Sequence, residues 1–514
     1  MKNDNLYAAL AAAFPAQRDA SAIETEQGLH YSWRDLERAS AMLANLLASL
    51  GLPAGARIAV QVEKSVEALM LYLATLRAGY VFLPLNSAYQ AAELRYFLQD
   101  AEPAVLVCAP ANLGWTEPIA SAAGVAHLFT LDDQRGGSLL AAAAACSERH
   151  ECAVRGAGEL AVILYTSGTT GRSKGAMLSH GNMLSNAQVL KRYWGWKRGD
   201  VLIHALPIFH IHGLFVAVHG ALLNASKMIW LARFEPRRVL QKMAEATIFM
   251  GVPTMYVRLL ADPQLDRAST RAMRLFVSGS APLLLEHFEA WRERTGHTIL
   301  ERYGMSETVM LTSNPCGPDR RHGERAERRG GTVGFPLPGV DLRLRDERGQ
   351  AVAASAVGAI EVKGPNVFQG YWRMPEKTAE EFSDDGYFKT GDVGRFDADG
   401  YLCIVGRSKD LIISGGYNVY PAEIETYINA LPGVLESAVV GAPDPDFGEV
   451  GHAFVVARPG AALAATAILG ALKATLANFK VPKRCTVLAE LPRNAMGKVQ
   501  KNLLRAQAAE AAPR

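Results

Sequence analysis

The segment from Thr166 to Gly175, which reads TSGTTGRSKG, has the composition of a loop that binds phosphate. It follows the apolar run AVILY, so it begins where a buried strand would end. Backbone N–H groups, hydroxyls and the ammonium of Lys174 can all bind a polyphosphate. The loop is not a Walker A motif, because Lys174 is followed by Gly175 instead of Ser or Thr. A glycine-rich turn alone does not decide between a ligand site and an ordinary surface turn.

Apolar strands that alternate with helices surround this loop. Residues 31–52 carry apolar side chains at helical spacing, RIAVQVE follows as a strand, and SVEALMLYLATLRAGYVFLPL reads as a helix that runs into another strand. This alternation predicts an α/β sheet. Similar strand-then-helix units recur at residues 104–108, 161–166, 201–207 and 274–280.

The composition indicates a globular protein with more than one domain. The chain has 514 residues, too many for one ordinary hydrophobic core, and 49% of them are hydrophobic. Lys and Arg total 54 against 51 Asp and Glu, and a net charge of +3 gives no broad basic face for a nucleic acid. We therefore expect no nucleic-acid partner.

The sequence also bears on the compartment. No run approaches the roughly 18 apolar residues that a membrane span needs. The N-terminal apolar patch follows Asp4 and reads as a short amphipathic helix rather than a secretory signal. The six cysteines are scattered, without a CxxC pair or a histidine cluster at zinc-ligand spacing. We expect a cytoplasmic protein with no membrane partner.

The sequence pattern changes near residues 406–410. The part that follows predicts a helix over AEIETYINAL, short strands at SAVVGAP and HAFVVAR, another helix and a basic tail. About a hundred residues is a reasonable size for an independent domain. We predict an N-terminal domain over residues 1–405, a hinge at 406–410 and a C-terminal domain over 411–514.

Six segments, in the same order, resemble the motifs of the adenylate-forming superfamily, which includes acyl-CoA synthetases, luciferases and peptide-synthetase adenylation domains. Chance explains such an ordered set poorly. The resemblance implies an α/β fold with a large N-terminal domain of mixed β-sheets and helices and a small mobile α+β C-terminal lid domain. The segments are YTSGTTGRSKGA, GSAPL at 279–283, RYGMSET at 302–308, YFKTGDV at 387–393, GRSKDLIISGGYNVYPAEIE at 406–425 and NAMGKVQK at 494–501.

The resemblance implies an AMP-forming ligase whose substrates are ATP, coenzyme A and a carboxylic acid. The acid would attack the α-phosphorus of ATP, and the thiol of coenzyme A would then attack the acyl-adenylate. Mg²⁺ would neutralise phosphate charge beside Thr166 and Glu307. Singly, Asp392 could be a turn residue and Tyr303 a core aromatic; the ordered set favours a ribose ligand and an adenine-stacking ring. The residues implied to bind ATP are Thr166, Ser167, Gly168, Thr169, Thr170, Gly171, Lys174, Gly279, Ser280, Ala281, Pro282, Glu301, Tyr303, Gly304, Met305, Ser306, Asp392, Arg407 and Lys498.

Lys498 matches the catalytic lysine of the family, which bridges the acid and the α-phosphate. The turn-forming PRNAMG places it on a loop, and its distance along the chain from the phosphate loop requires the small domain to fold over the large one. Lys409 falls at the family's pivot, and Gly415, Gly416 and Tyr417 belong to the segment that would serve thioester formation. Acylation of Lys498 by a lysine acyltransferase, reversed by a deacylase, is a further hypothesis.

Two arginines fall in segments that build the acyl pocket of this family. Arg258 follows GVPTMYV, and Arg302 stands where many relatives have glycine. A buried guanidinium needs an anionic partner, which predicts an acid with a second carboxylate. With His210 near the reacting carboxylate and Ser278 lining the site, the pattern is most similar to malonyl-CoA synthetases, which use malonate and often methylmalonate.

Alternatives remain for these arginines and for the substrate. Arg258 could be a surface residue of an amphipathic helix, and Arg302 could form a structural salt bridge to Glu301 or another acid. A medium-chain or aryl acyl-CoA synthetase would turn both arginines away from the pocket. An amino-acid adenylation domain would need an acidic partner beside HIHG, where the sequence supplies none. A nucleotide sensor without activity fits poorly, because Lys498, Glu307 and Asp392 are all present.

Overall fold

The computed structural model describes residues 3–166, 173–317, 327–353, 355–414, 417–444, 446–494 and 498–510. Several residues assigned above to ATP or coenzyme A lie outside the described residues, namely Ser167, Gly168, Thr169, Thr170, Gly171, Gly415 and Gly416.

The strands, in chain order, are β1 Ser21–Thr25, β2 His30–Ser32, β3 Arg57–Gln61, β4 Val81–Pro84, β5 Val105–Cys108, β6 His127–Thr130, β7 Leu160–Thr166, β8 Lys174–Ser179, β9 Val201–His204, β10 Lys227–Trp230, β11 Ile248–Gly251, β12 Leu275–Ser278, β13 Leu300–Tyr303, β14 Thr312–Ser313, β15 Phe335–Pro336, β16 Asp341–Arg345, β17 Gly358–Lys363, β18 Phe388–Phe396, β19 Leu402–Arg407, β20 Ile412–Ser414, β21 Tyr417–Val419, β22 Val434–Asp444, β23 Gly448–Ala457 and β24 Arg484–Leu488.

The α-helices are α1 Leu6–Ala12, α2 Trp33–Ser49, α3 Val66–Arg77, α4 Ala91–Ala101, α5 Leu113–Ala122, α6 Ser138–Ala143, α7 His180–Tyr193, α8 His219–Leu223, α9 Pro236–Lys242, α10 Pro253–Leu260, α11 Leu285–Thr295, α12 Pro375–Glu380, α13 Pro421–Asn429, α14 Ala465–Thr475 and α15 Lys501–Glu510. A π-helix covers His212–Val218, and short 3-10 turns cover Pro110–Asn112, Met243–Glu245, Ser408–Asp410 and Asn478–Lys480.

Two sheets rich in parallel pairs confirm the predicted α/β class. One runs in the order β6-β5-β3-β4-β7-β8, and the other in the order β15-β14-β13-β12-β11-β9-β10-β1-β2. Strands β3 to β7 pair in parallel in the first sheet, as do β9 to β13 in the second. Helices lie between the parallel strands along the chain, because parallel pairing needs a long crossover connection.

One apolar core joins these two sheets and their helices. Every residue of α3 is buried, which explains why its sequence is apolar nearly all round. Helix α2 buries one face, and its first turn is stabilised by a capping box between Ser32 and Asp35. Among the described residues, none of the helices combines the length and the apolar character needed to cross a membrane.

Two further sheets follow along the chain. Strands β16 to β19 form an antiparallel sheet that ends at Arg407, and the next sheet begins with β20 at Ile412. The predicted hinge at 406–410 therefore covers the end of β19 and one 3-10 turn. Its role as a hinge remains a prediction.

The predicted short strands of the C-terminal part were wrong in extent. Strands β22 and β23 pair over almost their whole lengths, from Val434 opposite Ala457 to Asp444 opposite Gly448. Because the two strands pair with each other, glycines and charged residues such as Glu436 and Glu449 also adopt strand conformation. Strand propensity alone does not predict this extension, because it depends on the partner.

Candidate active site

The loops that carry the motifs follow neighbouring parallel strands. Strands β9, β11, β12 and β13 lie side by side, and their carboxyl ends lead into the segments that contain His210, Pro253, Ser280 and Tyr303. Ligands of open α/β sheets bind at this edge. A cleft of about 2880 Å³ lies there and reaches residues of the C-terminal domain.

The structure brings most of the sequence-predicted residues together in this cleft. Among the described residues, Gly279, Ser278 and Tyr417 were predicted for the site but are not part of its lining. The predicted residues that line the cleft are Thr166, Lys174, His210, Arg258, Ser280, Ala281, Pro282, Glu301, Arg302, Tyr303, Gly304, Met305, Ser306, Glu307, Asp392, Arg407, Lys409 and Lys498.

Asp392 contacts two other residues that were predicted to bind the nucleotide. Its Oδ2 accepts a hydrogen bond from the hydroxyl of Tyr303 at 2.6 Å, and its Oδ1 lies 3.0 Å from Nε of Arg407. Burial raises the pKa of Asp392, and the charge of Arg407 opposes this shift. A carboxylate held in this way keeps lone pairs available for hydroxyl donors such as those of a ribose.

Glu307 and Lys174 meet at a tyrosine that the sequence analysis missed. The hydroxyl of Tyr371 donates to Oε1 of Glu307 at 2.9 Å, and the ammonium of Lys174 lies 4.1 Å from the centre of the Tyr371 ring. Lys174 also lies 3.4 Å from Oε1 of Glu381. Neither Tyr371 nor Glu381 falls in a quoted motif, so only their contacts identify them. Together these groups form a charged pocket at the end of β7, next to Thr166.

Lys498 lies in the C-terminal domain and is hydrogen-bonded to Asn494 through two bonds. The N–H of Asn494 donates to the carbonyl of Lys498 at 2.9 Å, and the N–H of Lys498 donates back to Oδ1 of Asn494 at 3.0 Å. The side chain remains open to the cleft, yet enclosure by the cleft walls lowers its pKa. Arg407 lowers this pKa further, whereas Asp392 and Glu307 raise it. The lysine therefore lies within electrostatic reach of the nucleotide residues.

The guanidinium of Arg302 is buried, and some of its N–H donors have no hydrogen-bond partner among the described residues. The residue is 3% exposed, and its Nε and Nη2 atoms have no hydrogen-bond partner among the described residues. Burial lowers its pKa to about 9, so it stays charged at neutral pH. An unpaired internal charge is costly, so these donors are suited to an anionic ligand. The alternative of a structural salt bridge to Glu301 is not supported by any described contact.

Several neighbours shape the space around Arg302. A Cβ on Gly279 would lie 2.5 Å from Cζ of Arg302, so this glycine accommodates the guanidinium, a role that the sequence did not indicate. The buried Oγ of Ser278 and Nδ1 of His210 have no partner among the described residues. Burial, helped by the charges of Lys498 and Arg302, lowers the pKa of His210 to about 3. His210 lines the cleft, so its unsatisfied Nδ1 is available to a polar ligand, whereas Ser278 lies behind the lining.

Glu301 is the other buried charge-bearing group beside Arg302. Its Oε1 accepts the N–H of Leu283 at 3.0 Å, and its Oε2 has no partner among the described residues. Burial raises its pKa to about 8, so the carboxyl is mostly neutral at pH 7. Among the described residues, no hydrogen bond joins the guanidinium of Arg302 to this carboxyl, because Nε and Nη2 of Arg302 and Oε2 of Glu301 all lack a partner.

The shift at Glu301 predicts a pH dependence of stability. Between its usual pKa of 4.5 and about 8, the unfolded chain releases a proton that the folded chain keeps, so stability falls as pH rises. Glu301→Gln does not titrate, so its melting temperature relative to the unmodified chain should rise from pH 5 to pH 8. Thermal unfolding of the ligand-free proteins measures this difference. A difference that stays constant with pH would contradict a neutral Glu301.

Arg258 is placed differently from Arg302. It lies on α10, is exposed, and its guanidinium lies 4.9 Å from the centre of the Phe234 ring. It nevertheless lines the cleft. Arg258 is thus exposed, as expected for a surface arginine, and also lines the cleft, as expected for a pocket residue. Arg302, in contrast, is buried.

Comparison with known proteins agrees with this geometry. The AMP-binding enzyme family model matches residues 10–372, and the model of the AMP-binding enzyme C-terminal domain matches residues 423–498. The chain is 35% identical to the malonate–CoA ligase of Arabidopsis thaliana over 483 residues, which cover 88% of this chain and 78% of that protein.

Solved structures show the same relationship. ATP-bound MatB from Rhodopseudomonas palustris is 52% identical, covers 98% of this chain and 99% of its own, and has a TM-score of 0.95; its apo structure has a TM-score of 0.84. A benzoate CoA ligase from Burkholderia xenovorans LB400 is 26% identical, with a TM-score of 0.86 over 98% of this chain and all of its own. The chain belongs to the AMP-binding enzyme family.

Proposed function

We propose that this enzyme converts malonate, ATP and coenzyme A into malonyl-CoA, AMP and pyrophosphate, and that it also accepts methylmalonate. The observation that carries the proposal is the buried guanidinium of Arg302, which has unpaired donors and lines the same cleft as the nucleotide residues. A carboxylate matches the fork of a guanidinium in charge and geometry. The similarity to malonate–CoA ligases supports the same substrate.

The two half-reactions need different groups. In the first, a carboxylate oxygen of malonate bonds to the α-phosphorus of ATP, and the bond to pyrophosphate breaks. Lys498, whose backbone is hydrogen-bonded to Asn494, would neutralise charge between the acid and the α-phosphate, and Arg302 would hold the far carboxylate. His210 is neutral at pH 7, so it would contribute hydrogen bonding and not charge.

The nucleotide would be held by the remaining cleft residues. Asp392 would accept the ribose hydroxyls, Tyr303 would stack on adenine, and Ser280, Ala281 and Pro282 would lie along the ring. Lys174, Ser306 and the phosphate loop would bind the phosphates. Before ATP binds, Lys174 is held by Glu381, so we expect ATP to compete with that ion pair.

The residues present fit a magnesium ion that arrives with ATP. No group of three or more potential ligands of the His, Cys, Asp or Glu type occurs among the described residues, whereas Mg²⁺ commonly needs only one or two carboxylates plus substrate phosphates. Glu307 and Thr166 would supply protein oxygens at the cleft. Bound there, Mg²⁺ would neutralise charge on the phosphates.

Glu307→Gln tests this assignment. The amide keeps the shape but removes the negative charge, so we expect the Mg²⁺ concentration for half-maximal activity to rise by about tenfold or more. The matched control is Glu381→Gln, which removes a nearby carboxylate that pairs with Lys174. An equal rise in both variants would point to general electrostatics and would remove Glu307 as a metal ligand.

The second half-reaction requires the C-terminal domain to move. Tyr417 belongs to the predicted thioester segment, yet it is 59% exposed and stacks on Phe479 with ring centres 4.7 Å apart. In the described arrangement Lys498 reaches the cleft instead. The higher TM-score to the ATP-bound than to the apo structure of MatB supports an arrangement suited to adenylation. We propose that rotation about Lys409 exchanges the two segments, so that the thiol of coenzyme A attacks the acyl-adenylate and AMP leaves.

Aryl and medium-chain acids are the principal alternative substrates, and an amino acid is a weaker one. An apolar acyl tail would leave the N–H donors of Arg302 buried without hydrogen-bond partners, and this costs binding free energy. The relatives include a benzoate CoA ligase, so the fold itself does not exclude aryl acids.

Exchange of labelled pyrophosphate into ATP tests the proposal at its first step. We expect malonate to stimulate exchange strongly, methylmalonate to stimulate it as well, and benzoate and octanoate to do so weakly. Stimulation by benzoate or octanoate above that by malonate would overturn the proposed substrate while leaving the ligase chemistry intact.

Two finer assignments remain proposals. We propose a cytoplasmic location from the scattered cysteines, which are all free and suit a reducing compartment. We also propose that acylation of Lys498 by a lysine acyltransferase would stop adenylation, because it removes the ammonium charge. Mass spectrometry that finds only unmodified Lys498 in active and inactive cells would remove this second proposal.

A further inference from the structure

A second, smaller cavity of about 230 Å³ lies beside the active-site cleft. Most of its walls are apolar, and they come from the ends of β3, β4 and β9 and from the side chains of Leu214, Phe234 and Met255. An apolar cavity of about 150 Å³ is already large enough for benzene. The space can therefore hold a short alkyl chain or a single ring.

Two residues separate this cavity from the cleft. Pro84 and Phe209 line both spaces, and no other residue among those described does so. Pro84 ends β4 and is buried, whereas the ring of Phe209 is half-buried. Phe209 is thus the side chain whose removal would join the cleft to the cavity.

Three charged residues line the second cavity: Glu63 and Arg233, which are exposed to solvent, and Lys64, whose ammonium is already hydrogen-bonded. The ammonium of Lys64 donates to the carbonyls of His204 at 2.8 Å and Leu231 at 2.6 Å, and it lies 4.5 Å from the centre of the Trp230 ring. Two carbonyls and an aromatic face account for its three donors. Lys64 therefore offers little to a second carboxylate, and the cavity suits an apolar group.

Phe209 also lies next to the position expected for the centre of the acid. It precedes His210, and both residues line the cleft together with Lys498 and Arg302. If these two cations hold the two carboxylates of a malonate, the carbon between them lies beside His210. A substituent on that carbon can then extend towards Phe209.

We propose that Phe209 is a specificity-determining residue that limits the substituent on C2 of the diacid, and that the cavity behind it is a latent subsite for a C2 alkyl group. This inference rests on the proposed function. The ring leaves room for hydrogen or methyl and blocks longer chains. Phe209→Ala opens the subsite to C2-propyl or C2-benzyl malonate.

Steady-state kinetics with malonate, methylmalonate, propylmalonate and benzylmalonate test the proposal. In Phe209→Ala we expect the kcat/KM ratio of propylmalonate to methylmalonate to rise by tenfold or more, the scale on which pockets discriminate small apolar groups. Ala205 lines only the second cavity and is buried, so adding Ala205→Leu to Phe209→Ala should fill the subsite and reverse the gain. An unchanged ratio, or a gain that survives Ala205→Leu, would overturn the proposal.

A second measurement, on the unmodified chain, tests the proposed subsite even if Phe209→Ala does not fold. Crystals under xenon pressure should show xenon in the second cavity, and the site should be lost in Ala205→Leu. If Phe209→Ala has no activity with any acid, xenon decides: a filled cavity supports the subsite and an empty one overturns it. Failure of the proposed function would appear separately, as an unmodified chain that does not use malonate.

Discussion

Replacement of Arg302 by alanine is expected to reduce kcat/KM for malonate by about 10²- to 10³-fold, the cost of removing one partner of a buried charge pair. The guanidinium is buried in the cleft and has donors without partners among the described residues, so its loss would leave the far carboxylate without this ionic partner. Activity with acetate, which has no second carboxylate, should change much less. Steady-state kinetics with both acids measure this selectivity.

Two controls separate substrate binding from structural support. Arg258→Ala removes a second cleft arginine that is exposed and stacked on Phe234, and we expect a smaller loss. The melting temperature of Arg302→Ala should not fall sharply, because the variant removes an uncompensated internal charge. A large loss of stability together with equal losses for malonate and acetate would assign Arg302 a structural role instead.

Replacement of Lys498 by alanine should abolish adenylation almost completely while sparing the second half-reaction. We expect pyrophosphate exchange to fall by roughly 10²- to 10³-fold, as when one preorganised electrostatic donor is lost. Formation of malonyl-CoA from supplied malonyl-adenylate should stay within a few-fold, because Lys498 would leave the cleft before that step. Stopped-flow or quench assays of each half-reaction give the two rates.

Lys501→Ala provides a matched control for Lys498. Lys501 is close along the chain and also lines the cleft, but its ammonium pairs with Glu425 at 2.7 Å. We expect little change in either half-reaction. An equal loss of adenylation in Lys501→Ala and Lys498→Ala would contradict a specific role for Lys498. Equal slowing of both half-reactions in Lys498→Ala would contradict its restriction to the first half-reaction.

The sequence predicted the elements of this site better than their contacts. The motifs selected Tyr303, Asp392 and Lys498, and the structure brings all three into one cleft, whereas their roles towards a ligand remain predictions. The structure then adds that Tyr303 donates to Asp392 and that the N–H of Lys498 donates to Asn494. Such contacts join residues far apart in the chain or depend on backbone geometry, which periodicity does not encode.

Other features could not be predicted from the sequence, because they also depend on contacts between distant residues. Gly279 was assigned to adenine, yet its missing Cβ makes space for Arg302 on a neighbouring strand. Tyr371 and Glu381 have no motif, and their importance depends on Glu307 and Lys174 reaching them across the fold. The two interpretations of Arg302 differed only in burial and partners, so only the structure could favour a ligand site over a salt bridge.

The most direct measurement of the central claim is thioester formation by the unmodified enzyme with ATP, Mg²⁺, coenzyme A and six acids offered separately: malonate, methylmalonate, succinate, acetate, octanoate and benzoate. The buried guanidinium of Arg302 predicts that malonate gives the highest kcat/KM, followed by methylmalonate. A preference for octanoate or benzoate would contradict the account of the acid pocket, although the enzyme would remain an acyl-CoA ligase.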